Sequence, residues 1–338
     1  MRRPAARHRR RRSLSGVAGE RGAAPARRPA MKALRTWWAA QPGNLRGIIL
    51  VGISGVLFSA LNIATYYPAQ ELNSYMMAFC RYLFGAVFLL HVFYRHGLIR
   101  PFHTHKIGTH ALRGAFHSAG MQLWFVALPL ITLADLTALG FTGPIFVTIG
   151  AALFLREDVR LRRWAAVVVG FIGAMIIIRP GFEVITLGAI CALASTPLFS
   201  ASNLMAKSLS TTDRADTIVI YQSAFIVLFA APFAILHWQP LTWTHVGWFL
   251  LAGFFGTAGH LIMQRGYQVA EISALQPIGF LSLIWNTLFG FLLFAQKPGV
   301  WTFVGAAVIF ASALYISHRE AVRRAQVRSA DAKGPPAP

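Results

Sequence analysis

One stretch of hydrophobic sequence occurs twice in this chain, and that duplication constrains the fold more than any other feature. Residues 57–62 read Leu-Phe-Ser-Ala-Leu-Asn, and residues 198–203, 141 positions later, read Leu-Phe-Ser-Ala-Ser-Asn. In the same register Gly47 falls on Gly188 and Arg81 on Gln222. Further along the offset settles at 139. Gly114, Phe116, Ala119 and Gly120 then fall on Gly253, Phe255, Ala258 and Gly259, and Phe141 falls on Phe280. Two related hydrophobic halves must fold into two related bundles. In a membrane, such repeats often hold a solute between them.

The membrane assignment rests on composition. Of 338 residues, 56% are hydrophobic and only 13% are charged, with a mean hydropathy of +0.54. An average soluble protein carries roughly 25% charged residues. Apolar surface on this scale is buried by a bundle of helices in lipid, where every backbone polar group is satisfied within its own helix. Ten spans are expected, near 47–67, 74–94, 111–129, 133–155, 162–179, 185–206, 216–236, 243–264, 273–295 and 300–318. The loops between them leave no room for a soluble domain.

The net charge of +21 resembles that of a nucleic-acid binder, but its distribution argues against one. Twelve of the 32 Lys and Arg lie in residues 1–35, and five more follow His318. In alternate loops, one side carries Arg95, Arg100, Lys106, Arg156, Arg160, Arg162, Arg163, Lys207, Arg214 and Arg265; the other carries only Arg179 and Lys297. Excess Lys and Arg mark the cytoplasmic side, so both termini are expected inside. A repeat of five spans then enters the membrane with opposite polarity in its second copy. The fold class is an all-α polytopic membrane protein, ten transmembrane helices in two inverted repeats, 45–181 and 182–318. Residues 1–44 read as a basic, disordered cytoplasmic tail, with translation expected to start at Met31, and 319–338 as a second tail. The N-terminal run has no apolar core and is not a secretory signal. Cys80 and Cys191 lie in apolar stretches and form no disulfide framework or metal spacing.

Residues Ala127-Leu-Pro-Leu-Ile-Thr-Leu-Ala-Asp-Leu-Thr-Ala-Leu-Gly-Phe-Thr-Gly-Pro-Ile-Phe, then Leu153-Phe-Leu-Arg-Glu157 and Arg179-Pro-Gly181, resemble the EamA-like branch of the drug/metabolite transporter superfamily. The resemblance covers roughly residues 45–318. It implies ten helices around a central cavity that moves small organic solutes, with no cofactor. The second half departs from the pattern: Gln296 stands where Glu157 does, and Leu283 where Pro144 does.

Several residues are candidates for the solute site. Arg81 lies inside the second span, where a cation costs on the order of 2.5–3.5 kcal/mol. It either contacts an anionic group of the substrate, or a gate, or makes a structural pair. His117 and His260 either meet substrate or are hydrogen-bonded core residues. Asn62 and Asn203, matched in the repeat, either line the cavity or tie neighbouring helices. Trp124 and Trp285 are candidate aromatic walls, and Gln264 a polar contact. Asp135 closes a capping box with Thr132, and Ser273–Gln276 is its counterpart; Asp135 and Glu157 are also gate candidates. Pro144, Pro197 and Pro277 are expected to interrupt helices. Gly55 with Ser59, and Gly170 with Gly173, are expected helix-packing positions.

Enzyme chemistry has no footing here: there is no His-Glu-x-x-His, no Gly-x-Ser-x-Gly and no paired acid within a span. The leading expectation is an inner-membrane transporter of a small polar solute, an amino acid or related metabolite, by alternating access. The alternatives are uptake of a vitamin or nucleoside-type metabolite such as riboflavin or S-adenosylmethionine, or a non-transporting scaffold or receptor. The partners are a small molecule and the lipid bilayer, not nucleic acid. The absence of deep acids favours facilitated transport or exchange, with His-mediated proton coupling as the second option, over a carboxylate-based proton or sodium coupling. Monomer and homodimer both stay open.

Overall fold

The computed structural model describes residues 37–96, 102–146, 161–179, 185–270 and 278–332, residue 39 excepted, and the isolated residues 149 and 275. Residues Pro42–Pro338 form one compact unit. Its helices are α1 Gly43–Tyr66, α2 Pro68–Glu71, α3 Ser74–His96, α4 Ile107–Ala127, α5 Leu133–Gly140, α6 Leu161–Ile178, α7 Leu187–Leu209, α8 Ala215–Leu236, α9 Trp243–Val269, α10 Leu281–Phe294 and α11 Val300–Ala332. Among the described residues each of the ten expected spans contains a helix. Four stretches, Gly43–Glu71, Leu187–Leu209, Ala215–Leu236 and Trp243–Val269, are long and apolar enough to cross a membrane by length and composition alone. Shorter apolar helices cover the second, fourth, fifth, ninth and tenth spans.

The packing follows the repeat. α1 packs on α9 and α4 on α7, which are the same contact with the two halves exchanged. α3 pairs with α8, α5 with α10 and α6 with α11, so each of these helices packs on its own counterpart. The matched residues supply the matched contacts. A Cβ on Gly120 would lie 3.0 Å from the Phe199 ring, and one on Gly259 would lie 2.9 Å from the Phe58 ring. Between α6 and α11, a Cβ on Gly305 would sit 2.5 Å from the Gly173 carbonyl oxygen. Gly173 therefore acts as the expected close-approach position. Gly55 does not: nothing lies within 4 Å of a Cβ there, so the helix contact on that face falls to Ser59, which is buried.

Two further expectations change. The fourth span is interrupted, but just before its proline and not at it. α5 stops at Gly140 and Phe141 caps it, and helix resumes at Gly143 with Pro144 in its first turn. A proline is tolerated there because the first-turn N–H groups have no intrahelical partner to lose. The ninth span breaks at the matching place, where Phe280 caps α10. Pro277 lies outside the described residues, as do Glu157 and the expected cap at 273–276 apart from Leu275. Pro197 does sit within a helix, α7. The second change concerns Asp135. Thr132 Oγ1 accepts from the Asp135 N–H at 3.1 Å and caps α5. The Asp135 carboxylate accepts from the Thr132 hydroxyl at 2.7 Å and the Thr302 hydroxyl of α11 at 2.5 Å. Half of the capping box forms, and the carboxylate ties α5 to α11.

Candidate functional site

Arg81 lies on α3 and is only 3% exposed. Its guanidinium carbon stands 4.0 Å from the centroid of the Tyr82 ring. The absence of a side chain at Gly256 of α9 makes room for it: a Cβ there would lie 2.5 Å from Arg81 Nη2. Arg81 Nε has no hydrogen-bond partner, and among the described residues no carboxylate pairs with this cation.

A second buried guanidinium stands nearby, at a position that sequence reasoning does not single out. Arg113 of α4 is 1% exposed. It donates through Nε to the Ser202 carbonyl of α7 at 3.3 Å, through Nη1 to the Ile218 carbonyl of α8 at 3.1 Å, and through Nη2 to Gln222 Oε1 at 2.6 Å. Arginine can only donate, so this contact fixes the Gln222 amide with its NH2 pointing away. That NH2 meets His117 Nε2 at 3.2 Å, and His117 Nδ1 lies 3.1 Å from Ser202 Oγ. The proton of the neutral ring is thereby assigned to Nδ1, which donates to Ser202. Gln222 is the repeat counterpart of Arg81. Where one half places a cation, the other places an amide that orients His117.

The two histidines come together across the halves, with ring centroids 5.6 Å apart. Each also packs edge-on against a matched phenylalanine, His117 on Phe199 at 5.1 Å and His260 on Phe58 at 4.9 Å. The Tyr82 ring completes the cluster, 6.2 Å from His117 and 6.4 Å from His260. His117 has both nitrogens engaged, whereas His260 Nδ1 has no partner. Gln264, one turn further along α9 and fully buried, has none for Oε1 or Nε2, and the Tyr82 hydroxyl has none either. A buried polar atom left unpaired costs about 1–3 kcal/mol. Gly256, His260 and Gln264 are spaced at four-residue intervals, which puts them on one face of α9. That face carries a stripe of unsatisfied polar atoms, with the Phe58 and Tyr82 rings 4.9 and 6.4 Å from His260.

The other candidates separate. Asn62 donates to Asn286 Oδ1 at 3.5 Å, and Asn286 donates to Thr137 Oγ1 at 2.8 Å, which links α1, α10 and α5. Asn203, its repeat match, is half-buried outside this link. Trp124 packs against Phe199 at 5.9 Å, beside the cluster. Trp285 stacks on Phe289 of its own helix and is not brought to it. Gln296, which replaces the Glu157 type in the second half, accepts from the Leu133 N–H at 2.9 Å.

Polar ties hold both ends of the bundle. At the end bearing the α7–α8 turn, Lys207 Nζ donates to the carbonyls of Tyr267 and Ala270, at 2.5 and 2.9 Å. Arg265 lies 3.6 Å from Asp216. Asp213 accepts from the Thr104 hydroxyl at 2.7 Å and lies 2.7 Å from His110 Nε2. Burial pushes the Asp213 carboxyl up, but the bonds from Thr104, His110 and Thr212, with the charge on His110, outweigh it and hold the group below its usual value. At the opposite end, His245 meets Glu71 at 2.8 Å and Asn73 Nδ2 donates to Gln239 at 2.8 Å.

The known proteins to which the chain is similar are named as transporters. The chain is 33% identical over 282 residues to a riboflavin transporter of Rhizobium johnstonii, covering 81% of this chain and 91% of that one. It is 31% identical over 290 residues to a riboflavin transporter of Vibrio cholerae, covering 84% and 97%. An S-adenosylmethionine uptake transporter of Rickettsia felis is 24% identical over 276 residues, covering 82% and 94%. The model of one family matches each half in turn, over residues 45–179 and 186–318. With apolar helices packed as two related halves around a shared polar centre, and each half matching the same family, the chain belongs to the EamA-like transporter family and is a multi-pass membrane protein of the drug/metabolite transporter type that moves small metabolites.

Proposed function

We propose that this transporter carries a neutral, aromatic heterocyclic metabolite of the riboflavin type across the inner membrane. The two inverted repeats, with both termini in the cytoplasm, would alternate access to the cluster around His260. The observation that carries the reading is electrostatic. Arg81 and Arg113 place two guanidinium groups in the interior, and among the described residues no carboxylate faces them. A cation held roughly 8 Å from one such group at an effective dielectric of about 20 is opposed by about 2 kcal/mol. An amino acid would bring an ammonium group with no anion to receive it, which offsets what its carboxylate gains beside a guanidinium, and S-adenosylmethionine would add a sulfonium with no further anion. A neutral ring system that stacks on Phe58, Tyr82 and Phe199 meets neither penalty. The relatives named as riboflavin transporters support the same choice, so the vitamin alternative replaces the amino acid as the leading solute.

Counterflow in proteoliposomes tests this. Vesicles loaded singly with riboflavin, S-adenosylmethionine or alanine are given a trace of the same labelled solute. Saturable exchange is expected with riboflavin alone. Exchange of S-adenosylmethionine or alanine without riboflavin would overturn the proposal.

A further inference from the structure

Gln264 is fully buried, yet both heteroatoms of its amide lack a partner. On a helix the side chain leans back toward the N-terminus, which carries this amide over the turn of His260, whose Nδ1 is also unpartnered. Arg81 Nε, unpartnered as well, lies beside Gly256, two turns or about 12 Å along α9. A primary amide presents one donor and one acceptor side by side in a plane. Its complement is a planar group with an N–H next to a carbonyl, as in a cyclic lactam or imide.

We infer that Gln264 reads the N–H/C=O edge of the solute's pyrimidine-type ring, with Gln264 Nε2 donating to the ring carbonyl and Gln264 Oε1 accepting from the ring N–H. His260 Nδ1 and Arg81 Nε then meet further polar groups along the same stripe. This rests on the riboflavin-type reading above and goes beyond it, because it states which edge of the heterocycle decides specificity and which residue decides it. The asymmetry of the halves supports the assignment: the position matching Gln264 in the first half is Phe125, so only α9 offers an amide there.

The test modifies the solute first, which avoids any question of folding. Wild-type proteoliposomes take up labelled riboflavin against unlabelled riboflavin, N3-methylriboflavin, which lacks the ring N–H, or 5-deazariboflavin, which keeps that edge and changes the ring elsewhere. N3-methylriboflavin is expected to compete about 10- to 100-fold more weakly than riboflavin, the loss typical of a bidentate pair. The 5-deaza compound is expected to compete like riboflavin. In the Gln264→Leu variant, riboflavin and N3-methylriboflavin should compete alike. If discrimination against the methyl group persists in Gln264→Leu, bulk and not pairing rejects it, and the inference fails. Riboflavin transport with equal competition by N3-methylriboflavin in the wild type overturns the inference and leaves the proposed function standing. No riboflavin transport at all overturns both.

Discussion

Phe141 and Phe280 meet ring to ring, with centroids 4.0 Å apart and planes inclined by 36°, although 139 positions separate them. They are the same position in the two repeats, and equivalent residues touch one another only where the pseudo-twofold axis passes. Each also caps the broken segment of its span. The axis of the molecule therefore runs through the two helix breaks, where unpaired backbone is tolerated because protein surrounds it.

If this pair couples the halves, the coupling is measurable. Phe141→Ala, Phe280→Ala and the double variant form a thermodynamic cycle, read by thermal melting in detergent. The double variant is expected to cost about 0.5–1.5 kcal/mol less than the sum of the singles, because either truncation alone already removes the ring–ring contact. Strict additivity would mean the rings are neighbours without mutual dependence. Phe280 also touches Phe310 at a centroid distance of 4.0 Å, so Phe280→Ala is expected to cost more than Phe141→Ala.

The part of the fold legible in the sequence is the part written in the repeat. Phe58 and Phe199, with Gly120 and Gly259, pair by register alone, and they make matched contacts. Arg81 stands out because it is a lone cation within an apolar run. Arg113 does not, because it lies only two residues inside the expected third span, where a basic residue reads as an orientation charge. Its role depends on carbonyls of two other helices, and no local pattern reveals those. Proline marks the fourth-span break only approximately: the chain turns at Phe141, just before Gly143-Pro144. The unpartnered amide of Gln264 is legible only in the folded chain, where it is buried and neither heteroatom finds a partner.

Two glycines three positions apart on α9 should respond oppositely to the same change. A Cβ on Gly253 would lie 2.7 Å from the Gly85 backbone nitrogen, which cannot move without shifting α3. Gly253→Ala is expected to destabilise by about 1–3 kcal/mol. A Cβ on Gly256 would meet only the end of the Arg81 side chain. Gly256→Ala is expected to melt near the wild type while displacing the guanidinium, so riboflavin transport should show a raised KM. An unchanged KM in Gly256→Ala would remove Arg81 from the solute site.

Arg113 is expected to matter for stability as well as transport. Arg113→Met removes the donor to Gln222 Oε1 and the additional donors to the Ser202 and Ile218 carbonyls, which lie within helices, and the unpaired Gln222 oxygen is expected to cost about 1–3 kcal/mol. Gln222 is then free to flip, and His117 loses the contact that assigns its proton. Arg113→Lys keeps the charge but not the fork and is expected to recover only part of the melting temperature. A methionine variant that melts like the wild type would show the Gln222 oxygen to be satisfied in some other way.

The Asp213 tie should impose an acid limit on the end of the bundle it holds. Its carboxyl is depressed in the folded protein, because the bonds from Thr104, His110 and Thr212 outweigh burial. A depressed carboxyl contributes its full stabilisation above the usual carboxylate value of about 4 and loses it as pH falls through the lower native value. The Asp213 contribution, read as the difference in melting temperature between wild type and Asp213→Asn, is therefore expected to be constant down to about pH 5 and to shrink at more acid pH. Asp213→Asn keeps the shape but cannot ionise, so it should start lower at pH 7 and show a shallower acid slope. If the variant falls as steeply as the wild type, Asp213 does not set the acid limit.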